Sequence, residues 1–118
     1  IGIDHVNGFL AIGENLREGQ RVQFHVRDSL TSHEDLEIQL SQYLRNLDKE
    51  SVLGALMFQC NGRGRYLYGH PNHDSNTFRK LVGPIALGGF FCNGEIGPVG
   101  KTTYMHGYTS SFAVFRKP

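Results

Sequence analysis

Two apolar runs of this chain end in the same pattern, Phe-x-Cys-Asn-Gly, over residues 58–62 and 90–94. Continuous apolar runs of this length are typical of strands buried on both faces. Asn-Gly is a strong turn signal because both residues tolerate a positive φ. The residue after the turn is Arg63 in the first copy and Glu95 in the second. If the two strands lie in one sheet and run in the same direction, two glycine loops of opposite charge flank one site.

A site of this kind suits a small zwitterion such as an amino acid. The Arg63 guanidinium and the loop amides would hold a carboxylate, and Glu95 would hold an ammonium group. Asn61 and Asn93 offer both donors and acceptors. Two alternatives stay open: the pattern recurs because both segments are tight strand exits, or Arg63 and Glu95 pair with each other. The candidate ligand-binding residues are Asn61, Gly62, Arg63, His73, Asn93, Gly94, Glu95 and His106.

One helix is predicted to begin at Ser32, because a serine can accept a hydrogen bond from the free amides of the first turn. Glu34 and Asp35 follow, and their charges suit the positive end of the helix dipole. An apolar stripe at helical spacing then predicts that this helix covers one face of a sheet. The stripe consists of Leu36, Leu40, Tyr43, Leu44 and Leu47.

The other elements follow from periodicity and turn signals. A second helix is predicted to begin at a cap residue, Asn72, Asp74 or Ser75, and to run through Val82, closed by Gly83-Pro84. Strict alternation over 21–27 and 108–116 predicts two half-buried strands, and 65–68 is predicted as a short strand. Together these elements predict an α+β class, with a mixed, largely antiparallel sheet and two helices packed on one face.

Length and charge limit the classes of protein to which this chain can belong. The 118 residues predict a single domain over 1–118, and the start without Met predicts a fragment of a longer protein. The net charge is +1 with scattered cations, which argues against nucleic-acid binding. No apolar run is long enough to cross a membrane and no signal peptide is visible, so a cytoplasmic location is predicted.

Few residues are candidates for catalysis or metal binding. His70, His73 and Asp74 have a spacing that can bind a metal, but the same residues suit a helix cap. Cys60 and Cys92 are interpreted as reduced core residues; a thiol nucleophile beside a histidine base is the alternative. The sequence contains no CxxC, HExxH or serine-elbow motif. It therefore predicts no enzyme, no metal and no cofactor.

Several stretches are similar to the C-terminal half of the FIST domain, a sensory module of bacteria that also occurs in eukaryotic F-box proteins. The phrase Gly-Phe-Phe-x-Asn-Gly-Glu-Ile-Gly over 89–97 is quite specific. The resemblance covers nearly the whole chain and is sharpest after Leu53. The matching stretches are 54–64, Pro71-Asn72-His73-Asp74, 89–100 and His106-Gly107-Tyr108-Thr109.

The resemblance implies a small-ligand-binding sensory domain in signal transduction, with amino acids as proposed ligands. It also implies two partners, the N-terminal half of the FIST domain and a downstream signalling protein. One alternative is a protein-interaction module, as in the F-box relatives. Another is a haem-based gas sensor with His70, His73 or His106 as axial ligand.

Overall fold

The computed structural model describes residues 2–45 and 47–118. Its helices are α1 (Ser29–Leu44), α2 (Arg65–Tyr68) and α3 (His73–Val82), and a 3₁₀ turn covers Lys49–Ser51. Its strands are β1 (Gly2–Asp4), β2 (Phe9–Ala11), β3 (Val52–Cys60), β4 (Ala86–Cys92), β5 (Glu95–Val99), β6 (Thr102–His106) and β7 (Ser110–Arg116). The α+β class is confirmed. No helix within these two ranges is long and apolar enough to span a bilayer.

The main sheet has three strands in the order β4-β3-β7. Strand β3 pairs in parallel with β4, from Gly54 opposite Ala86 to Cys60 opposite Cys92. On its other side β3 pairs antiparallel with β7. The two apolar runs are therefore neighbours that point the same way, as their shared pattern predicts, and their ends meet at one edge of the sheet.

Helices α1 and α3 cover one face of this sheet. Phe78 of α3 is fully buried and its ring stacks on Phe112 of β7, with centroids 4.9 Å apart. The apolar stripe predicted for the first helix supplies three of the seven buried core residues. The buried core residues on this face are Leu36, Leu40, Leu44, Val52, Ala55, Phe78 and Val82.

The opposite face of the same sheet carries apolar side chains without a covering layer among the described residues. Strand alternation puts Leu56 on the face opposite Ala55, and Phe90 and Phe115 lie on that side too. These three side chains are 38%, 63% and 53% exposed. We call this the exposed sheet face; it consists of Leu56, Phe58, Phe90, Ala113 and Phe115.

Three local predictions were wrong. Helix α1 begins at Ser29, because the carboxylate of Asp28 accepts from the Thr31 amide at 2.9 Å and caps the helix earlier than Ser32 would. Residues 65–68 form a helical turn between two glycines with positive φ, Gly64 and Gly69. Residues 21–27 form no strand, because they find no strand to pair with among the described residues.

The second of the two predicted glycine loops, which contains Glu95, forms a hairpin instead. Strands β5 and β6 pair antiparallel, from Glu95 opposite His106 to Val99 opposite Thr102. Strands β1 and β2 make a second separate hairpin. The strands are thus divided among three sheets, and the β5–β6 hairpin sits at the end of the main sheet where the two apolar runs finish.

Candidate functional site

The two Asn-Gly exits are joined to each other directly. The Asn61 side-chain amide donates to the Asn93 side-chain oxygen at 2.6 Å. The Asn61 backbone amide donates to the Cys92 carbonyl at 2.9 Å. Parallel pairing of β3 with β4 brings these residues together although they lie 32 positions apart.

The dipeptide Tyr108-Thr109 runs between the two exits and contacts both. Arg63 donates through Nη1 to the Tyr108 carbonyl at 3.0 Å. Thr109 donates to Glu95 Oε2 from its hydroxyl at 2.8 Å and from its amide at 3.3 Å. A Cβ at Gly62 would lie 2.2 Å from the Tyr108 ring, so Gly62 provides the room in which that ring lies.

Asp74 is the counter-ion of Arg63. The guanidinium binds the carboxylate with both ends of its fork, Nε to Oδ2 at 2.6 Å and Nη2 to Oδ1 at 3.1 Å. Gln59 and Ser110 donate to the same carboxylate at 2.5 and 2.9 Å. Asp74 is 1% exposed and Arg63 6%. This is a buried, fully hydrogen-bonded ion pair, the kind in which each partner depends on the other.

The protonation state of this pair follows from its neighbours. Burial alone raises the pKa of Asp74, but the hydrogen bonds from Arg63 and His73 and the charge of Arg63 outweigh it and hold that pKa well below its usual range. Burial and the nearby Asp74 carboxylate raise the pKa of Tyr68 to about 12. At neutral pH Asp74 is therefore ionised and Tyr68 is a neutral phenol.

The predicted histidines occupy two different places. His73 contacts Asp74 through Nδ1 at 2.8 Å and stacks on Tyr68 with ring centroids 3.4 Å apart. His106 contacts the Gly97 carbonyl through Nε2 at 2.9 Å. His70, the third candidate for a haem ligand, contacts the Pro71 carbonyl through Nδ1 at 3.2 Å, and the haem-sensor alternative stays a prediction. Within the described ranges, no three His, Cys, Asp or Glu side chains form a group that could hold a metal ion.

Glu95 lies almost wholly inside the protein, at 1% exposure. Its second oxygen, Oε1, lies 3.4 Å from the Cys92 thiol. Burial and this hydrogen bond raise the pKa of Cys92, which keeps the thiol protonated and slows its reaction as a nucleophile. The predicted alternative in which Arg63 and Glu95 pair with each other is wrong, since Arg63 binds Asp74 and Glu95 accepts from Thr109.

Sequence reasoning missed the residues that hold Arg63. Asp74 was interpreted only as a metal-ligand or helix-cap candidate, and Ser110 only as part of a strand. Gln59 did carry a signal: it is the one polar side chain within β3. A polar residue in a buried run requires a hydrogen-bonding partner, and strand alternation directs Gln59 toward the helices.

A cavity of about 1070 Å³ opens beside this network. It lies between residues 23–27, helix α1 and strand β7, and Arg63 reaches its wall. Arg27 stands over the Tyr108 ring, its guanidinium carbon 3.5 Å from the ring centroid. Among the described residues neither Arg27 nor Asp35, which also lines the space, forms an ion pair. We call this space the large cavity.

A second cavity of about 460 Å³ lies between helix α3 and strand β4 and shares no lining residue with the first. Its wall includes His73, Arg65 and Arg79. Bare backbone at Gly88 and Gly89 and the ring of Phe91 complete one side. We call this space the small cavity.

Comparison with known proteins identifies the family. The profile described as FIST C domain matches residues 1–98. An uncharacterised protein of Mycobacterium tuberculosis is 43% identical over 98% of this chain, which covers 30% of that relative. An F-box/LRR-repeat protein of Arabidopsis thaliana is 34% identical over 75% of the chain and 17% of its own length. Human F-box only protein 22 is 42% identical over 44% of the chain. The chain spans about a third of the length of the mycobacterial relative.

Proposed function

Because the chain belongs to the FIST C domain family of sensory signal-transduction domains, we propose that it binds a small ligand, with an amino acid as the ligand class. The observation that carries the proposal is the large cavity beside Arg63. Its volume is of the size that encloses small molecules. We propose a cytoplasmic setting, supported by the two free thiols Cys60 and Cys92, and no catalytic role.

The charges around the large cavity fit the two ends of an amino acid. Arg27 is a cation with no acidic partner among the described residues, and a guanidinium binds a carboxylate through two parallel hydrogen bonds. Asp35 offers a carboxylate for the ammonium group. Leu36, Leu40 and Phe112 line the same space and provide apolar contact for a side chain.

The predicted loop residues take a supporting role in this proposal. Arg63 lines the large cavity while bound to Asp74. Gly62 and Glu95 hold Tyr108-Thr109, which forms part of the cavity wall. We propose that the remaining predicted residues, Asn61, His73, Asn93, Gly94 and His106, frame the site without touching the ligand.

Calorimetric titration with a panel of amino acids tests this function. We expect binding by the unaltered chain, and at least ~10-fold weaker binding by Arg27→Ala and by Asp35→Asn, since a hydrogen bond to a charged group contributes about 1.5–3 kcal/mol. Both side chains are exposed, so the melting temperature should stay unchanged. Arg21→Ala is the matched control, as it removes a cation of the same segment that does not line the cavity. Failure of every amino acid to bind, or equal binding by Arg21→Ala and Arg27→Ala, would contradict the proposal.

A second candidate is a protein-interaction role, favoured by the exposed sheet face. An apolar sheet surface of this kind is typical of an interface. We propose the N-terminal half of the FIST domain as its occupant, because this chain spans only 30% of the mycobacterial relative. A signalling partner would then bind to the two joined halves and recognise their conformation.

Binding of a purified N-terminal half from the same protein, followed by analytical ultracentrifugation, checks this candidate. Phe90→Asp is expected to weaken association ~100-fold or more, because it would bury an unpaired charge at the interface. Phe90 is 63% exposed in this chain, so the variant itself should fold. Phe9→Asp, at an exposed position on the β1–β2 hairpin, is the control and should leave association intact. Equal effects of the two variants would rule out the exposed sheet face as the interface.

A further inference from the structure

The small cavity combines two free cations with an apolar floor. Arg65 and Arg79 line it, both side chains are exposed, and neither forms an ion pair among the described residues. No aspartate or glutamate lines the cavity within those residues. The wall of the small cavity therefore carries two cations, and an anion is the ligand that such a wall favours.

Two glycines of the small cavity occupy positions where a side chain would not fit. At Gly89 φ is +152°, and a Cβ there would lie 1.8 Å from the Met57 carbonyl oxygen. At Gly64 φ is +64°, and a Cβ would press on the Phe91 ring at 3.0 Å. Both glycines line the small cavity, and Phe91 and Met57 supply apolar surface beside them.

We propose that the small cavity is a second binding site, for a phosphate monoester that carries a flat apolar group. Two guanidinium groups match the double negative charge of a phosphate monoester, and arginine binds phosphate through paired hydrogen bonds. The apolar group would lie against Phe91 and Met57. About 460 Å³ accommodates a ligand of this size.

This inference does not rest on amino-acid binding, because the two cavities have no lining residue in common. Arg27 and Asp35 belong to the large cavity, whereas Arg65 and Arg79 belong to the small one. A negative result at one cavity therefore leaves the other untouched, and the two proposals can fail separately.

The test is a two-dimensional amide NMR titration of the whole chain with phenyl phosphate, benzoate, phenol and inorganic phosphate. Phenyl phosphate is expected to saturate and to shift the amides of Arg65, Gly88 and Gly89, leaving Arg27 and Tyr108 unmoved. Benzoate should bind more weakly because it has one charge, and phenol and inorganic phosphate more weakly still because each lacks one half of the recognised group.

Variants test whether Arg65 and Arg79 bind the phosphate group. Arg65→Ala and Arg79→Ala should each weaken phenyl phosphate binding by ~10-fold or more, the effect of losing a charged hydrogen-bonding partner. Arg116→Ala, which removes an exposed arginine at the end of β7, should bind like the unaltered chain. The proposal is overturned if phenyl phosphate causes no saturable shift at low millimolar concentration. It is also overturned if phenol binds as well as phenyl phosphate, or if all three arginine variants behave alike.

Discussion

Replacement of Asp74 by alanine is expected to lower the free energy of unfolding by about 3–5 kcal/mol, the effect of removing one partner of a buried ion pair. Arg63 would keep its charge at 6% exposure without a counter-ion, and Gln59 and Ser110 would lose the acceptor that they share. Urea unfolding followed by circular dichroism measures this change. It is a large fraction of the total stability of a domain of this size.

Two further variants show whether the charge, rather than the lost volume, is responsible. Asp35→Ala removes an exposed carboxylate and should change stability by no more than about 0.5 kcal/mol. The double variant Asp74→Leu with Arg63→Met removes the unpaired charge as well and should regain the part of the loss that this charge causes. It should remain less stable than the unaltered chain, because Gln59 and Ser110 still lack their shared acceptor. An effect of Asp74→Ala no larger than that of Asp35→Ala would show that the pair does not stabilise the fold.

The Asp74 carboxylate also makes the stability of the fold depend on pH in the acid range. The pKa of Asp74 is lower in the folded protein than the value of about 3.9 in an unfolded chain. Its ionisation therefore contributes stability that is fully present above about pH 4 and is lost as the pH falls toward the folded pKa. In Asp74→Asn this part of the acid dependence should disappear. A plot of the free energy of unfolding against pH should then be flatter below about pH 4.

Gly89→Ala is expected to destabilise the protein by about 3 kcal/mol or more, or to prevent folding. Its new methyl group would lie 1.8 Å from the Met57 carbonyl oxygen, which belongs to the central strand of the main sheet. Neither backbone can move away without breaking the β3–β4 pairing. Thermal unfolding and the yield of soluble protein measure the effect.

The neighbouring glycine provides a matched control. A Cβ at Gly88 would meet only the Leu56 side chain at 3.6 Å, an ordinary van der Waals distance. Gly88→Ala should therefore change stability by less than about 1 kcal/mol, although it alters the same strand by the same group. If the two variants have the same melting temperature, the clash with Met57 is not the reason that position 89 needs glycine.

The sequence predicts the sheet centre well because its signals are local and repeated. The Phe-x-Cys-Asn-Gly pattern ends both β3 and β4, and equal patterns at the ends of buried strands favour the side-by-side arrangement that the structure has. The apolar stripe from Leu36 to Leu44 likewise predicts the helix face that packs on the sheet. The three leucines of that stripe lie in the buried core, whereas Tyr43 is exposed.

Two predictions failed because the outcome depends on a distant partner. The alternation over 21–27 is that of a strand, but a strand forms only where another strand is available to hydrogen-bond with it. The sequence left Arg63 either a ligand carboxylate or Glu95 as its partner, because its actual partner, Asp74, lies 11 residues further along and is brought back by helix α3. Helix α3 also determines what lines the small cavity, so Arg65 and Arg79, scattered cations in the sequence, come to share one space.

The position of Tyr108-Thr109 between the two strand exits also has a consequence for the order of assembly. The Cys60 amide donates to the Thr109 carbonyl, and Arg63 donates to the residue before it. A nascent chain that has emerged only as far as strand β6 therefore has both donors without these acceptors. The region around the exits is completed only when strand β7 docks against β3, and until then water must satisfy those hydrogen-bonding groups.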